Sequence, residues 1–172
     1  MNVSIQTPNQ VKLLLQKARA ARKDTKKFFF NIAKKKGPEI DKLFHPTHDK
    51  VFSQTNCLVC ANCCKTSSPI ITNKDIDRIA NHLRIKPGDF VRDYLKIDEE
   101  EDYVFQKTPC TFLNEDNTCS IYEYRPKACS EYPHTNRKNM VEILSLTEKN
   151  ALVCPAVFNI IELINEATNM PK

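Results

Sequence analysis

The chain has 172 residues, eight cysteines, two glycines and a formal net charge of +5. That length suits one domain with a modest core and an appendage rather than two full domains, and a cysteine share of roughly 5% lies below the density of small secreted disulfide scaffolds. With only Gly37 and Gly88 in the chain, neither a glycine-rich phosphate cradle nor a G-x-S-x-G nucleophile elbow can be built, which excludes the common nucleotide-dependent chemistries and triad hydrolysis of that type.

Charge divides the chain. Residues 1–50 carry twelve Lys and Arg against four Asp and Glu, a net of +8, whereas residues 51–172 carry fourteen against seventeen, a net of −3. We therefore read 1–50 as a basic helical arm and 51–172 as a separate cysteine-rich domain. In the arm, "TPNQ" supplies an N-cap at Thr7, a proline suited to the first helical position at Pro8, and a capping-box partner at Gln10. Val11, Leu14, Ala18, Ala21, Thr25, Phe28 and Ile32 then recur at spacings of three and four, which predicts one helix over 8–36, about 40 Å long, stopped by Gly37-Pro38. Lysines and arginines line its other face. They suit a protein, ribosomal or nucleic-acid partner, although such a run is more often a solvated face, and the acidic remainder of the chain could neutralise it internally. The longest apolar runs in the first thirty residues are 13–15 and 28–30, so the sequence predicts neither a secretory leader nor a membrane span. The expected compartment is the cytoplasm, where thiols stay reduced and clustered cysteines bind metal rather than pair.

His45 and His48 follow at a ligand-like spacing, but no thiolate is near them in sequence, and they are not read as ligands. "NCLVCANCCK" places Cys57, Cys60, Cys63 and Cys64 within eight positions. Thr72 with Asp75 makes a second capping box ahead of the stripe Ile76, Ile79, Ala80 and Leu83, and Pro87 opens a short helix carrying Phe90, Val91, Tyr94 and Leu95. His82 on this pair reads as structural, and "DEEED" at 98–102 as a solvated turn. From Tyr103 to Cys129 the alternation suggests short strands, with "NEDN" reversing the chain so that Cys110 and Cys119 meet. Pro126 would open a short helix bearing Cys129, "MVEILSL" reads as a last strand, and Cys154-Pro155 begins a C-terminal helix. The expected fold is α+β and mainly helical, with a short antiparallel β element.

Cys57, Cys60 and Cys63 have the C-x₂-C-x₂-C spacing of a cube-shaped iron–sulfur cluster, for which a remote cysteine before proline, as in Cys154-Pro155, completes the set. The same soft donors suit zinc. Cys64 is then left to join Cys110, Cys119 and Cys129 in a second four-thiolate site. The cofactor expected is zinc or iron in two adjacent four-cysteine sites, one of them open to a 4Fe–4S cluster. Arg125 is the candidate cation beside the cofactor, since two four-thiolate sites around dipositive centres leave excess negative charge for hydrogen-bonding cations to offset. His134 could substitute for a thiolate, but eight cysteines make that unnecessary.

Together, "CLVCANCCK", "PCTFL…CSIYEYRPKACSEYPH" and "CPA" resemble the CxxCxxCC cysteine-cluster proteins, the YkgJ-like family of zinc- or iron-chelating domains, over about residues 55–160. The resemblance implies a cytoplasmic metal- or cluster-binding domain, places every cysteine of this chain on a family position, and implies no settled reaction. It does not extend to the basic arm. Three roles follow. A metal-stabilised binding module fits the missing acid–base constellation, an iron–sulfur redox or group-transfer enzyme fits the ferredoxin-like spacing, and metal storage or delivery uses the same ligands.

Overall fold

The computed structural model describes residues 4–169, the side chain of Asn169 excepted. In chain order the helices are α1 (Pro8–Ala20), α2 (Arg22–Ile32), α3 (Gly37–Phe52), α4 (Asn62–Thr66), α5 (Asn73–Leu83) and α6 (Pro87–Tyr94). The hairpin strands β1 (Leu95–Ile97) and β2 (Tyr103–Phe105) come next, then α7 (Lys127–Glu131), α8 (Leu144–Asn150) and α9 (Pro155–Asn169). The fold is α+β and mainly helical, and the one sheet among the described residues is this antiparallel pair, in register Leu95 to Phe105. Two compact units divide the chain: Met1–Cys60 with Pro133–Lys172, and Ala61–Tyr132.

The first unit is a helical assembly around α9. Thr7 caps α1 by accepting the Gln10 amide, while the Gln10 side chain accepts from the Gln6 amide at 2.9 Å, one residue before the position a full capping box would use. The expected seam is buried at Val11, Leu14, Ala18, Thr25, Phe28 and Ile32, because a 3.6-residue period keeps those positions on one face. It packs against α9, whose Val157, Ile160, Ile161 and Ile164 are at most 1% exposed. Burying a side chain of that kind stabilises by about 1.5–3 kcal/mol.

Three local expectations fail here. The helix over 8–36 is interrupted at Ala21 (φ −83°, ψ 11°) and ends at Ile32, although helical bonding carries through the break from the Ala21 amide to the Lys17 carbonyl and from the Thr25 amide to the Ala21 carbonyl. Gly37-Pro38 does not stop that helix; it starts α3, since a proline in the first turn gives up an amide the helix has no use for. "MVEILSL" is not a strand. A 3₁₀ turn over Met140–Ile143 leads into α8, because Met140, Leu144, Thr147 and Ala151 are buried at helical spacing, a pattern that the β-branched Val141 and Ile143 hide. The α3 carboxylate of Asp41 ties this segment down by accepting the amides of Asn139 (3.0 Å) and Met140 (2.8 Å).

The second unit has a smaller core, formed by Ile71, Ile76, Ile79 and Ala80 with Phe90, Leu95, Phe105, Phe112 and Ile121. Here the predicted capping box is complete: Thr72 and Asp75 each accept from the other's backbone. Pro87 opens α6 as expected, and the chain passes into β1 at Leu95, one residue before the predicted helix would have ended. Tyr94 stacks between Phe90 and Phe112, with ring centroids 5.1 and 5.4 Å away.

No single helix among the described residues is long and apolar enough to cross a membrane. One pair, Met140–Asn150 with Pro155–Thr168, would pass on length and composition, but it is bent by 119° and most of its apolar residues belong to the first unit's core.

Candidate metal centre

None of the eight cysteines is in a disulfide. In the second unit, the "ANCC" stretch starts with Ala61 in the left-handed region (φ 45°, ψ 22°), a conformation that costs a non-glycine residue on the order of 1 kcal/mol or more and that turns the chain into α4. The short helix carries Cys63 and Cys64. The Cys64 carbonyl accepts the Cys110 amide at 2.8 Å, which fixes the start of the next cysteine segment against the first.

The reversal expected at "NEDN" is present as a tight turn rather than as a strand pair. Asn114 donates its amide to the Thr118 carbonyl (2.9 Å), Asp116 accepts from the Thr118 amide and hydroxyl, and a single bridge joins Leu113 to Cys119. Cys110 and Cys119 are thereby brought to one end of the turn. Pro126 then opens α7, whose Cys129 amide bonds the Pro126 carbonyl at 2.9 Å.

Charge behaviour shows which sulfurs are neighbours. Burial pushes the Cys129 thiol up to about 12, and the negative charges of Cys64, Cys110 and Cys119 push in the same direction, while Arg125 opposes them. Cys110 and Cys119 are raised by burial too, with amides of Phe112 and Ile121 opposing the shift, and both feel Cys64. Cys64 moves the other way, down to about 7, chiefly because Cys63 hydrogen-bonds it, with Lys65 assisting. An ionised Cys64 therefore opposes ionisation of Cys110, Cys119 and Cys129, and a bound cation would remove that opposition. Soft sulfur donors fit zinc or iron. Among the described residues no three His, Cys, Asp or Glu side chains already converge as a ready coordination shell, so closing one requires the sulfurs to turn inward.

In the first unit, Cys57 stands exposed on the 3₁₀ turn Cys57–Val59, Cys60 follows half-buried, and Cys154 precedes α9. Cys154 is packed round by the unit's core although its residue keeps some contact with solvent. That packing drives its thiol up to about 12, against hydrogen bonds from the amides of Val157 and Ala156, and the charges of Cys60 and Cys57 drive it further. These three cysteines are thus electrostatically linked as well.

Cys63 and Cys64 have their sulfurs 3.9 Å apart and are not disulfide-bonded. That is close to the edge, about 3.8 Å, of a tetrahedron with metal–sulfur arms of about 2.3 Å. Their separation alone therefore does not assign them to different sites.

Arg125 lies where its charge favours the ionised forms of Cys119 and Cys129. It also stacks on Tyr122 (3.8 Å to the ring centroid) and donates to the Tyr122 carbonyl at 2.6 Å. Its own carbonyl accepts from Arg78. Asp75 escaped notice as more than a capping residue. It is 1% exposed, and its carboxylate accepts from Thr72, from Arg78 and from the Lys127 amide at the start of α7. The Cys129 helix and the Arg125 backbone are therefore held by one Asp75–Arg78 pair. The capping-box spacing was the only sequence signal of it.

Three of the four histidines have partners other than thiols. His45 bonds the Arg137 carbonyl at 2.8 Å, His48 bonds the Thr135 hydroxyl at 2.7 Å, and His82 stacks on Tyr124 at 3.9 Å.

A mainly helical fold with a two-stranded sheet and eight cysteines outside any disulfide fits a thiolate metal-binding protein. The chain belongs to the CxxCxxCC family, whose model, described as a proposed zinc- or iron-chelating domain, matches residues 56–155. Searches of curated proteins and of solved structures returned no match.

Proposed function

We propose that this protein is a cytoplasmic metal-stabilised binding module in which Cys64, Cys110, Cys119 and Cys129 form a closed four-thiolate centre. The observation that carries this reading is the backbone arrangement of one small unit, in which the Cys64 carbonyl accepts the Cys110 amide at 2.8 Å and the Leu113–Cys119 bridge returns Cys119 beside the Cys110 segment, with the charge of Cys64 felt by Cys110, Cys119 and Cys129. A divalent ion bound there would supply charge compensation and folding free energy. Arg125 would offset residual thiolate charge at Cys119 and Cys129, and the Asp75–Arg78 pair would hold both groups in place. Cys57, Cys60 and Cys154, all in the first unit, are assigned to the second centre, as the charges of Cys57 and Cys60 felt by Cys154 support. The exposure of Cys57 favours a second reading for that centre, an iron–sulfur cluster exchanging electrons near the surface.

Anaerobic purification followed by iron and zinc analysis and a visible spectrum tests both readings. Stoichiometric zinc without colour supports two structural sites, and iron with sulfide and visible absorption supports the cluster. A colourless chain with substoichiometric metal, purified under reducing conditions, would refute both.

A further inference from the structure

The apolar seam of α1 and α2 is spent on the first unit's core, yet the opposite face is strongly cationic. Lys12, Arg19, Lys23, Lys27 and Lys34 follow helical spacing through the break at Ala21, where backbone bonding continues, and all are exposed. None of them forms an ion pair among the described residues, and Asp24 is the one carboxylate between residues 8 and 36. In the same stripe stands Phe30, 68% exposed, with the Lys34 ammonium 4.4 Å from its ring centroid. An aromatic of that size left in water among lysines adds little apolar burial to the fold. The α2 apolar positions Phe28, Phe29 and Ile32 are buried, each at 6% or less.

We infer that this stripe is a docking surface for single-stranded nucleic acid: the cations track phosphates and Phe30 stacks on a base. Charge complementarity selects a polyanion. The aromatic selects one whose base faces are open, since stacking needs unpaired bases. An anionic bilayer fits less well, because an interfacial helix inserts a whole apolar face, and here that face is committed to α9 and its neighbours. The inference is independent of which metal the cysteines hold.

The test uses the full-length, metal-loaded chain, a labelled oligo-uridine of about 20 nucleotides, a duplex of equal length, and phosphatidylcholine/phosphatidylserine vesicles. Anisotropy should show oligo-uridine binding whose logarithmic salt dependence has a slope of about −3 to −4, as expected for about five phosphate contacts on a single strand. The triple variant Arg19→Gln, Lys23→Gln, Lys27→Gln should flatten that slope by about 2. Phe30→Ala, at an exposed position, should weaken single-strand binding roughly five- to a hundredfold and leave the melting temperature unchanged. Absent or salt-insensitive binding by the unmodified chain would overturn the inference. So would a duplex bound as tightly as the single strand with no effect of Phe30→Ala, or capture by vesicles without capture of the oligonucleotide.

Discussion

The two units solve the stability problem differently. Among the described residues, the first gathers nineteen buried apolar residues, drawn mostly from helices at both ends of the chain, among them Phe44 and Phe158, which are 0% and 2% exposed. The second spans Ala61–Tyr132 and gathers nine, with five of the eight cysteines in the same stretch. A scaffold of that size rarely stabilises itself by more than a few kcal/mol through its core alone and is often stapled. The thiols, which carry a chemical liability when free, are concentrated where apolar burial is scarce. On the proposed reading, the cysteine motif serves folding in the second unit, whereas the first has a core large enough to fold by burial.

Metal removal should break the comparison most. A strong chelator under reducing conditions should abolish hydrogen-exchange protection at Ile79 and Phe90 in the second unit, since structural thiolate sites contribute on the order of 10 kcal/mol of apparent folding free energy. Amides at Phe44 and Ile160 in the first unit should stay protected. Loss of protection in both units together would contradict the division.

The reverse experiment is Phe44→Ala. Truncating a phenylalanine that is 0% exposed should cost about 3–5 kcal/mol, read as a lower melting transition for the first unit, with metal content unchanged.

A smaller effect is expected at Asp75. Burial works to raise its pKa, but the hydrogen bonds from Thr72, Arg78 and the Lys127 amide outweigh it and hold the carboxyl below its ordinary value of 3.8. The native state therefore binds the proton less readily than the unfolded chain. Its stabilisation is complete above that ordinary value and is lost as pH falls through the lower folded one. Asp75→Asn should destabilise the second unit by about 1–3 kcal/mol at neutral pH, because a buried hydrogen-bonded charge is removed from its donors, and should remove that acid-dependent part of its unfolding curve.

The smallest effect belongs to the first unit. Burial, aided by His45 and opposed by Asp49, lowers the His48 pKa from 6.5. Its contribution is present in full above that value and declines as pH falls through the lowered one. The first unit's melting temperature should drop slightly as pH falls below about 6.5, and less in His48→Gln.

Features legible in the sequence were local ones. The Thr7 cap, the Thr72–Asp75 box and the helix starts at Pro87 and Pro155 depend on residues within one turn, and they occur where expected. The cysteine motif was legible as a metal signature for the same reason. Segments governed by distant partners were not. "MVEILSL" is helical because Asp41, about a hundred residues earlier, fixes the Asn139 and Met140 amides and because its buried positions face the first unit's core. The grip of Asp75 on Lys127 joins residues 52 positions apart, which no spacing rule reveals. Gly37-Pro38 carried a real boundary signal whose direction was ambiguous, since proline after a helix and proline in a first turn leave the same mark.

Metal stoichiometry in single-cysteine variants of the anaerobically purified chain tests the central claim most directly. The account predicts that Cys64→Ser, Cys110→Ser, Cys119→Ser and Cys129→Ser each lose the same one centre per chain, while Cys57→Ser retains that centre. Stoichiometric metal that survives Cys129→Ser and Cys110→Ser unchanged, or a loss that Cys57→Ser reproduces in full, would contradict it.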